Sequence, residues 1–535
     1  MKKPTRGAAT PPELRLEDAP MSDIIEALAG GRTTATALMK AYLARIAAYD
    51  RGGPALNSVR ALNPDALAIA GELDGTRPSA KRPLAGVPIL VKDNIATSDR
   101  QPTTAGSLAL EGARARRDAT VIKLLRKAGA VILGKANLTE FANILAVEMP
   151  SGYSSLGGQV RNPFAPALMG DHDIPVVTPG GSSSGSAVAV AAGLCAASIG
   201  TETSGSLLHP ASRNGIVTVK PTVGLISRAG IVPIAHSQDT AGPMTRTVRD
   251  AAILLNVLAV SDPRDPITER LRRPADYTAD LARDALKEAR IGVPSDPSDP
   301  LNDCYYGKLP PNGAKLMAEV IGMLQDLGAV IVRANMPTRG WLAGPGTKMA
   351  VLNRNPLSKN KGNPTGAPIV FLYELKYGLN LYLKDWATNT EIKTMADIIA
   401  FNAANAKEAL RFGQDLFLAA DLTKGDLSER EYKSARAMDL LAARTHGMDA
   451  YMNQHKLDAV LFPAAMGAAI AANAGYPSVM VPAGLDPGAD GTDMDCPVGV
   501  TFAGRAWSEH KLLRLAYAYE HASQLRKAPP GLPAL

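Results

Sequence analysis

The chain has few of the residues that bind metals or form disulfides. Its 535 residues include three cysteines and seven histidines, and neither set has the spacing of a zinc, redox or metalloprotease site. We interpret Cys195, Cys304 and Cys496 as small buried residues that fit a reducing compartment. The run Asp171-His172-Asp173 is interpreted as an exposed loop. With no phosphate-binding or dinucleotide fingerprint either, the sequence predicts neither a metal nor a cofactor.

Long apolar segments and blocks of like charge are also missing. The longest weakly polar stretch, residues 187–199, is too short to span a bilayer and contains a glycine. No apolar run follows the basic N-terminus as it does in a secretory signal. The net charge of +7 comes from 58 basic and 51 acidic residues mixed along the chain, which is typical of a solvated surface. We therefore expect a cytoplasmic protein that binds neither membranes nor nucleic acids.

Short apolar runs alternate with helical patterns along most of the chain. Strands are predicted at residues 87–91, 131–133, 291–293, 330–332, 460–462 and 479–481, and helices at 121–127 and 315–327. Ser22 is expected to cap a first helix, and Thr33 or Thr34 a second. Strands separated by helices predict an α/β fold with a largely parallel sheet and helices on both faces.

Two segments depart from this pattern. Residues 1–20 contain four prolines and are expected to form a flexible N-terminal arm. Residues 336–390 are rich in Gly, Pro, Asn and Lys and then in aromatic residues, so we expect an irregular loop there. Together with helical stretches at about 395–416 and 429–455, this loop is predicted to form an inserted cap or substrate-binding region (about 336–455). The rest of residues 21–535 is expected to complete one domain.

Two runs of serine and glycine contain the hydroxyl groups that acyl transfer without histidine or metal requires. They are residues 180–186 (GGSSSGS) and 201–206 (TETSGS), and Ser206 follows Ser182 by 24 residues (206 − 182). Ser206 ends a turn of small residues, whose N–H groups can stabilise the negative oxygen that forms when a carbonyl is attacked. We therefore predict that Ser206 is the nucleophile.

A serine nucleophile needs a base, and Lys92 is the candidate. Five apolar residues, 87–91, precede it, so its ammonium group is poorly solvated and its pKa is lowered, which yields a neutral amine. Ser182 can relay a proton between Lys92 and Ser206, because a hydroxyl both donates and accepts. The structural alternatives for Lys92 are an ion pair with Asp93 and a side chain that extends to the surface. For residues 180–186 the alternative is a flexible linker.

A competing interpretation makes Ser183 the nucleophile. Residues 181–185 match the G-x-S-x-G elbow of α/β-hydrolases, which requires a histidine later in the chain. His510 is the best available, but it begins a helical segment, and Pro179 interrupts the strand expected before the elbow. These two features disfavour the elbow.

Taken together, the motifs resemble those of the amidase signature family. The matching runs are residues 134–141 (GKANLTEF), 179–186 (PGGSSSGS), 200–206 (GTETSGS), 219–224 (VKPTVG) and 238–244 (QDTAGPM), within a signature core at 84–250. The resemblance implies a single α/β/α sandwich around a large mixed, mostly parallel sheet, without a cofactor.

The resemblance also implies roles for individual residues. Lys92 is the implied catalytic lysine, Ser206 the nucleophile, and Ser182 the bridging serine, in a cis peptide bond. The implied oxyanion hole consists of the backbone N–H groups of Thr203, Ser204, Gly205 and Ser206. Asp239 and Thr240 are implied to brace the signature segment rather than to react.

Two substitutions and an insertion distinguish the chain from many members. Ser204 stands where most have glycine, Leu208 stands where many have arginine, and residues 169–177 resemble an extra loop at the entrance. The motifs are more similar to those of bacterial peptide amidases, which release ammonia from C-terminal peptide amides. The resemblance implies that a monomer or homodimer hydrolyses a peptide or small-molecule amide. The alternatives are an anilide, carbamate or ester hydrolase, the amidase subunit of an aminoacyl-tRNA amidotransferase, and a catalytically silent binding protein.

Overall fold

A large β-sheet forms the centre of the protein. A computed structural model of the chain describes residues 14–299, 303, 305–337, 368–488 and 494–535. The described strands are β1 (Val59–Leu62), β2 (Pro88–Lys92), β3 (Arg114–Ala115), β4 (Val131–Ala136), β5 (Tyr153–Ser154), β6 (Gly158–Gln159), β7 (Leu168–Met169), β8 (Ile174–Pro175), β9 (Ala197–Glu202), β10 (Val217–Lys220), β11 (Thr240–Thr245), β12 (Arg290–Val293), β13 (Val330–Arg333), β14 (Ala387–Thr388), β15 (Ala459–Pro463), β16 (Ser478–Pro487) and β17 (Asp495–Ala503). All six predicted strands are present: the one predicted at 87–91 overlaps β2, displaced by one residue, and the other five lie within β4, β12, β13, β15 and β16.

Within the described residues, eleven strands form one mixed sheet in the order β1-β4-β2-β9-β11-β10-β16-β17-β15-β12-β13. β2 pairs in parallel with β4 and β9, and β12 pairs in parallel with β13 and β15. The other six neighbouring pairs are antiparallel. The sheet is therefore less parallel than predicted. One reason is that β16 and β17 are joined by a connection too short for the crossover that a parallel pair needs.

Helices pack against this sheet and extend beyond it. They are α1 (Met21–Ala29), α2 (Ala35–Arg45), α3 (Ala66–Leu73), α4 (Thr120–Lys127), α5 (Ser184–Ala191), α6 (Leu208–Arg213), α7 (Val248–Leu258), α8 (Pro311–Asp326), α9 (Ile369–Asp385), α10 (Met395–Ala404), α11 (Ala406–Ala409), α12 (Asp415–Asp421), α13 (Arg430–Leu440), α14 (Asp449–His455), α15 (Ala468–Ala474) and α16 (Glu509–Ser523). None of the helices in the described ranges is both long and apolar enough to cross a bilayer.

The first helix is capped by a residue far along the chain. The N–H groups of Met21 and Ser22 both donate to the Asp250 carboxylate, each at 2.8 Å. The prediction that Ser22 is the cap is therefore wrong. The prediction for the second helix is confirmed at Thr34, whose hydroxyl accepts from the Ala37 N–H at 3.1 Å.

The predicted cap region is largely helical where it is described. Residues 338–367 lie outside the described ranges, but α9 occupies residues 369–385, so the expected irregular loop is wrong there. α9 buries Leu372, Leu375 and Leu379 in a second apolar cluster that also contains Phe141 and Phe417. The predicted helix at 395–416 is divided among α10, α11 and the start of α12. Residues 430–455 are helical, with a π-helical segment at Leu441–Met448 that contains a kink at Gly447. That these residues form an inserted unit stays a prediction.

The predicted N-terminal arm divides into two parts. Residues 1–13 lie outside the described ranges. Residues 14–20 pack on the body of the protein, since Glu17 and Ala19 are both buried and Leu14 and Leu16 contact the main apolar core.

Candidate active site

Lys92, the last residue of β2, lies at the centre of the candidate site. β2 is flanked by β4 and β9, all of its residues are buried, and the lysine is fully inaccessible to solvent. Burial lowers the pKa of Lys92 from 10.5 to about 7, although the carboxylates of Glu202 and Asp239 oppose this shift. A substantial share of the protein therefore has a neutral amine at this position near neutral pH.

The Lys92 amine contacts two serines and one backbone carbonyl. Nζ lies 2.8 Å from Oγ of Ser182, 3.0 Å from Oγ of Ser183 and 3.4 Å from the carbonyl oxygen of Thr201. The Ser183 hydroxyl donates to that carbonyl (2.9 Å) and accepts from the Thr201 N–H (3.2 Å), so it can only accept from Lys92. A neutral amine thus donates one hydrogen each to Ser183 and Thr201. Its lone pair is left to accept the hydroxyl proton of Ser182.

Backbone contacts hold the segment that carries Ser182. The Gly181–Ser182 peptide bond is cis, as the resemblance implies. The Ser182 carbonyl accepts from the Thr139 N–H at 3.1 Å. Gly185 has no room for a side chain, because a Cβ there would lie 2.2 Å from the Ser58 carbonyl oxygen. This run is therefore a packed turn that leads into α5, and the flexible-linker interpretation is wrong.

Ser206 lies in the turn that connects β9 to α6. The Glu202 carboxylate accepts from the N–H groups of Leu207 (2.7 Å) and Leu208 (3.0 Å), which joins the two ends of the turn. The Ser206 carbonyl accepts from the Ser183 N–H at 3.2 Å, so the turn is adjacent to the Ser182 segment. In the part of the chain that the structure describes, no protein acceptor takes the N–H groups of Thr203, Ser204, Gly205 and Ser206. Free donors in a buried turn are what an oxyanion hole requires.

Asp239 fixes one side of this turn. The Thr203 hydroxyl donates to one of its carboxylate oxygens. The N–H groups of Ile234 and Ala235 donate to the other oxygen, each at 3.0 Å. Burial raises the pKa of Asp239 to about 7. These contacts are consistent with the bracing role that the resemblance implies.

The Ser183 elbow and the Lys92–Asp93 ion pair are both contradicted by the contacts. Ser183 is fully buried, and its hydroxyl is occupied by Lys92 and Thr201 rather than by a histidine. His510 pairs instead with the Asp280 carboxylate at 2.8 Å, so the elbow interpretation is wrong. The ion pair of the lysine with Asp93 is also wrong, because Asp93 pairs with Arg60.

The pH dependence of kcat/KM tests whether the base is a neutral lysine. We expect kcat/KM to rise with pH up to about pH 7 and to level off above it, because only the deprotonated amine of Lys92 accepts a proton. Initial rates at fixed ionic strength between pH 5 and 9 measure this profile.

Asp239→Asn is the matched control for that profile, since the pKa of Asp239 is also raised to about 7. The variant should keep the inflection and shift it to lower pH, because a negative charge that raises the pKa of Lys92 has been removed. A flat profile in Asp239→Asn would instead assign the titration to the aspartate.

The comparisons with known proteins establish the family. The amidase family model matches residues 37–513. A probable amidase of Arabidopsis thaliana is 36% identical over 523 residues, which cover 96% of this chain and 92% of that protein. The chain belongs to the amidase signature family, and it is a hydrolase of that family.

Solved structures support the same conclusion. The peptide amidase of Stenotrophomonas maltophilia is 41% identical with a TM-score of 0.81, over 96% of this chain and 98% of that one. A peptide amidase in complex with the competitive inhibitor chymostatin gives the same TM-score and identity, over 96% of this chain and 99% of that one.

Among the sequence relatives, a glutamyl-tRNA(Gln) amidotransferase subunit of Chloroflexus aurantiacus is 34% identical over 95% of this chain and 97% of that protein. The predicted α/β fold with a large mixed sheet is confirmed.

Proposed function

We propose that the protein hydrolyses a carboxamide, foremost the C-terminal amide of a peptide, through an acyl-enzyme on Ser206. The observation that carries this proposal is the 2.8 Å contact between the buried Lys92 amine and the Ser182 hydroxyl. The free N–H groups of the adjacent turn support it. The similarity to peptide amidases, one of which binds the inhibitor chymostatin, supports the substrate class.

In the acylation step, Oγ of Ser206 forms a bond to the carbonyl carbon of the amide. Its proton passes to Ser182 as Ser182 gives its own proton to the lone pair of Lys92. The carbonyl oxygen becomes negative and accepts hydrogen bonds from the N–H groups of residues 203–206. The proton then returns along the same path to the leaving nitrogen, the C–N bond breaks, and ammonia departs. Lys92 is again neutral.

Deacylation repeats these transfers with water as the nucleophile. A water molecule gives a proton through Ser182 to Lys92 and attacks the carbonyl carbon of the ester. The bond to Oγ of Ser206 then breaks, and the serine recovers its proton by the same relay. The products are a carboxylic acid and ammonia, and no cofactor is consumed.

A panel of substrates tests the proposal. We expect the purified chain alone to release ammonia from a blocked dipeptide amide at a higher kcat/KM than it cleaves the anilide, carbamate or ester with the same acyl group. Released amine or alcohol is measured for each compound. A preference for the anilide, carbamate or ester would overturn the carboxamide assignment while leaving the acyl-enzyme in place.

One observation favours a second candidate, the amidase subunit of an aminoacyl-tRNA amidotransferase. It is the 34% identity to the Chloroflexus aurantiacus amidotransferase subunit over nearly the whole chain. Such a protein works with partner subunits and takes ammonia from glutamine. Hydrolysis of a peptide amide by the isolated chain rejects this candidate, whereas activity on glutamine that appears only with partner subunits supports it.

A further inference from the structure

A short hairpin with an exposed apolar pair, formed by β7 and β8, overlaps residues 169–177, the predicted extra loop. β7 and β8 are antiparallel, and Met169 lies directly opposite Ile174. Opposed residues project their side chains on the same face, with Cβ atoms about 5 Å apart. Met169 is 51% exposed and Ile174 is 41% exposed. Two large apolar side chains therefore lie next to each other in contact with solvent.

Arg411, in the loop between α11 and α12, holds this hairpin in place. Its guanidinium donates to the Asp171 carbonyl at 3.0 Å and to the Asp173 carboxylate at 3.3 Å. The His172 ring packs against Phe412, with 5.8 Å between centroids. The turn of the hairpin is thus anchored on the cap region, which gives the apolar pair a defined position.

The same contacts connect the hairpin to the catalytic segment. Tyr153 packs edge-on against Phe412 at 4.8 Å, and the Arg411 guanidinium lies 5.9 Å from the Tyr153 ring. Two residues before Tyr153, the Ser151 hydroxyl comes so close to Gly181 that a Cβ on this glycine would be 2.9 Å away. Packed side chains therefore connect the hairpin to Tyr153, and two residues of chain connect Tyr153 to Ser151, which lies beside Gly181.

We propose that the β7–β8 hairpin binds a hydrophobic side chain upstream of the carboxamide in a peptide substrate, with Met169 and Ile174 as the contact surface. This inference rests on the proposed function and adds a specificity determinant to it. β8 ends at Pro175, five residues before Gly180, so at most about 18 Å of chain separates them. An extended peptide spans about 3.3 Å per residue, so a residue about five positions upstream reaches even this upper limit. Covering the two side chains removes apolar surface from water.

Blocked hexapeptide amides, which span about 20 Å when extended, test the inference. Each pair of substrates carries leucine or aspartate at one upstream position, and a blocked single-residue amide serves as the short reference. We expect the wild-type protein to prefer leucine by at least about 10-fold in kcat/KM at one of these positions. Met169→Asp and Ile174→Asp should each lower that preference by about 10-fold and leave kcat/KM for the short amide unchanged, because only the longer substrates reach the hairpin.

Val330→Asp is the matched control. Val330 is 43% exposed and begins β13, the edge strand of the sheet, so this variant should keep the wild-type preference. An unchanged preference in Met169→Asp overturns the inference. A loss of dimer in Met169→Asp, seen by size-exclusion chromatography without a change in preference, also overturns it and identifies an interface between copies. If the wild type hydrolyses none of the amides, the proposed function is wrong and this inference falls with it.

Discussion

Ser206→Ala is expected to lose covalent labelling by a fluorophosphonate probe and to lower kcat by at least about 10⁴-fold. The variant removes the oxygen that bonds to the probe or to the substrate carbonyl. Lys92, Ser182 and the free N–H groups of the turn stay in place, because the contact of residue 206 with the neighbouring segment is made by its backbone carbonyl. Mass spectrometry of the labelled chain and the rate of ammonia release measure the two effects.

Ser183→Ala is the matched control, since it removes a hydroxyl from the adjacent position in the same buried segment. It deletes one acceptor of the Lys92 amine and two contacts to Thr201. We expect activity to fall by about 10- to 100-fold, the effect of a lost hydrogen bond to an ionisable group, and labelling at Ser206 to persist. Labelling that survives in Ser206→Ala, or that disappears in Ser183→Ala, would contradict the assignment of the nucleophile.

The strands could be predicted from the sequence better than their pairing. β2, β4 and β15 are buried along their whole length, and each contains a run of at least three apolar residues that is visible in the sequence. Pairing depends on contacts between distant parts of the chain. β10 pairs with β16, and the intervening segment includes the whole cap region. No local sequence pattern shows which strands pair. This is why the alternation of strands and helices predicted more parallel pairs than the sheet has.

The helix α9 shows a different kind of error. Leu372, Leu375 and Leu379 have helical spacing and lie on its buried side, so the signal was present in the sequence. The preceding residues, rich in Gly, Pro and Asn, dominate the composition of the segment and favour an irregular loop. The cap of α1 carries no local signal at all, because Asp250 is 228 residues away from Ser22.

Within the candidate site, the individual groups were easier to predict than the contacts that position them. An apolar strand that ends in lysine indicates a desolvated amine, and the structure places Lys92 against Ser182. The contribution of Glu202 was missed. Glu202 ends β9 six residues before α6 begins, too far away to be an N-terminal helix signal in the sequence. Its carboxylate nevertheless accepts from the N–H groups of Leu207 and Leu208. That the Ser183 hydroxyl accepts from both Lys92 and Thr201 could not be predicted from the sequence. It depends on how the folded chain brings these three residues together.

Lys92→Met is expected to lower kcat by at least about 10³-fold, the contribution of general acid–base catalysis, and at the same time to stabilise the protein. The pKa of Lys92 falls from 10.5 to about 7 on folding, so at pH 7 its burial opposes folding by roughly 5 kcal/mol, at about 1.4 kcal/mol per pKa unit. The variant leaves the Ser182 hydroxyl without this partner, which costs about 1–3 kcal/mol. The net stabilisation at pH 7 is therefore about 2–4 kcal/mol, measured as a higher unfolding midpoint in urea.

The stabilisation of the protein by Lys92→Met should depend on pH. Below about pH 7 both the folded and the unfolded wild-type chains hold the proton of Lys92, so the penalty is complete and constant. Between pH 7 and 10.5 only the unfolded chain holds it, so raising the pH stabilises the folded wild type, and the advantage of Lys92→Met shrinks by up to about 1.4 kcal/mol per pH unit. Lys135→Met is the control, because burial lowers the pKa of Lys135 to about 8 while its amine binds Ile95 and Thr103 outside the relay. It should show a similar trend in stability but keep the wild-type inflection of kcat/KM, and a lost inflection there would contradict the assignment of Lys92 as the base.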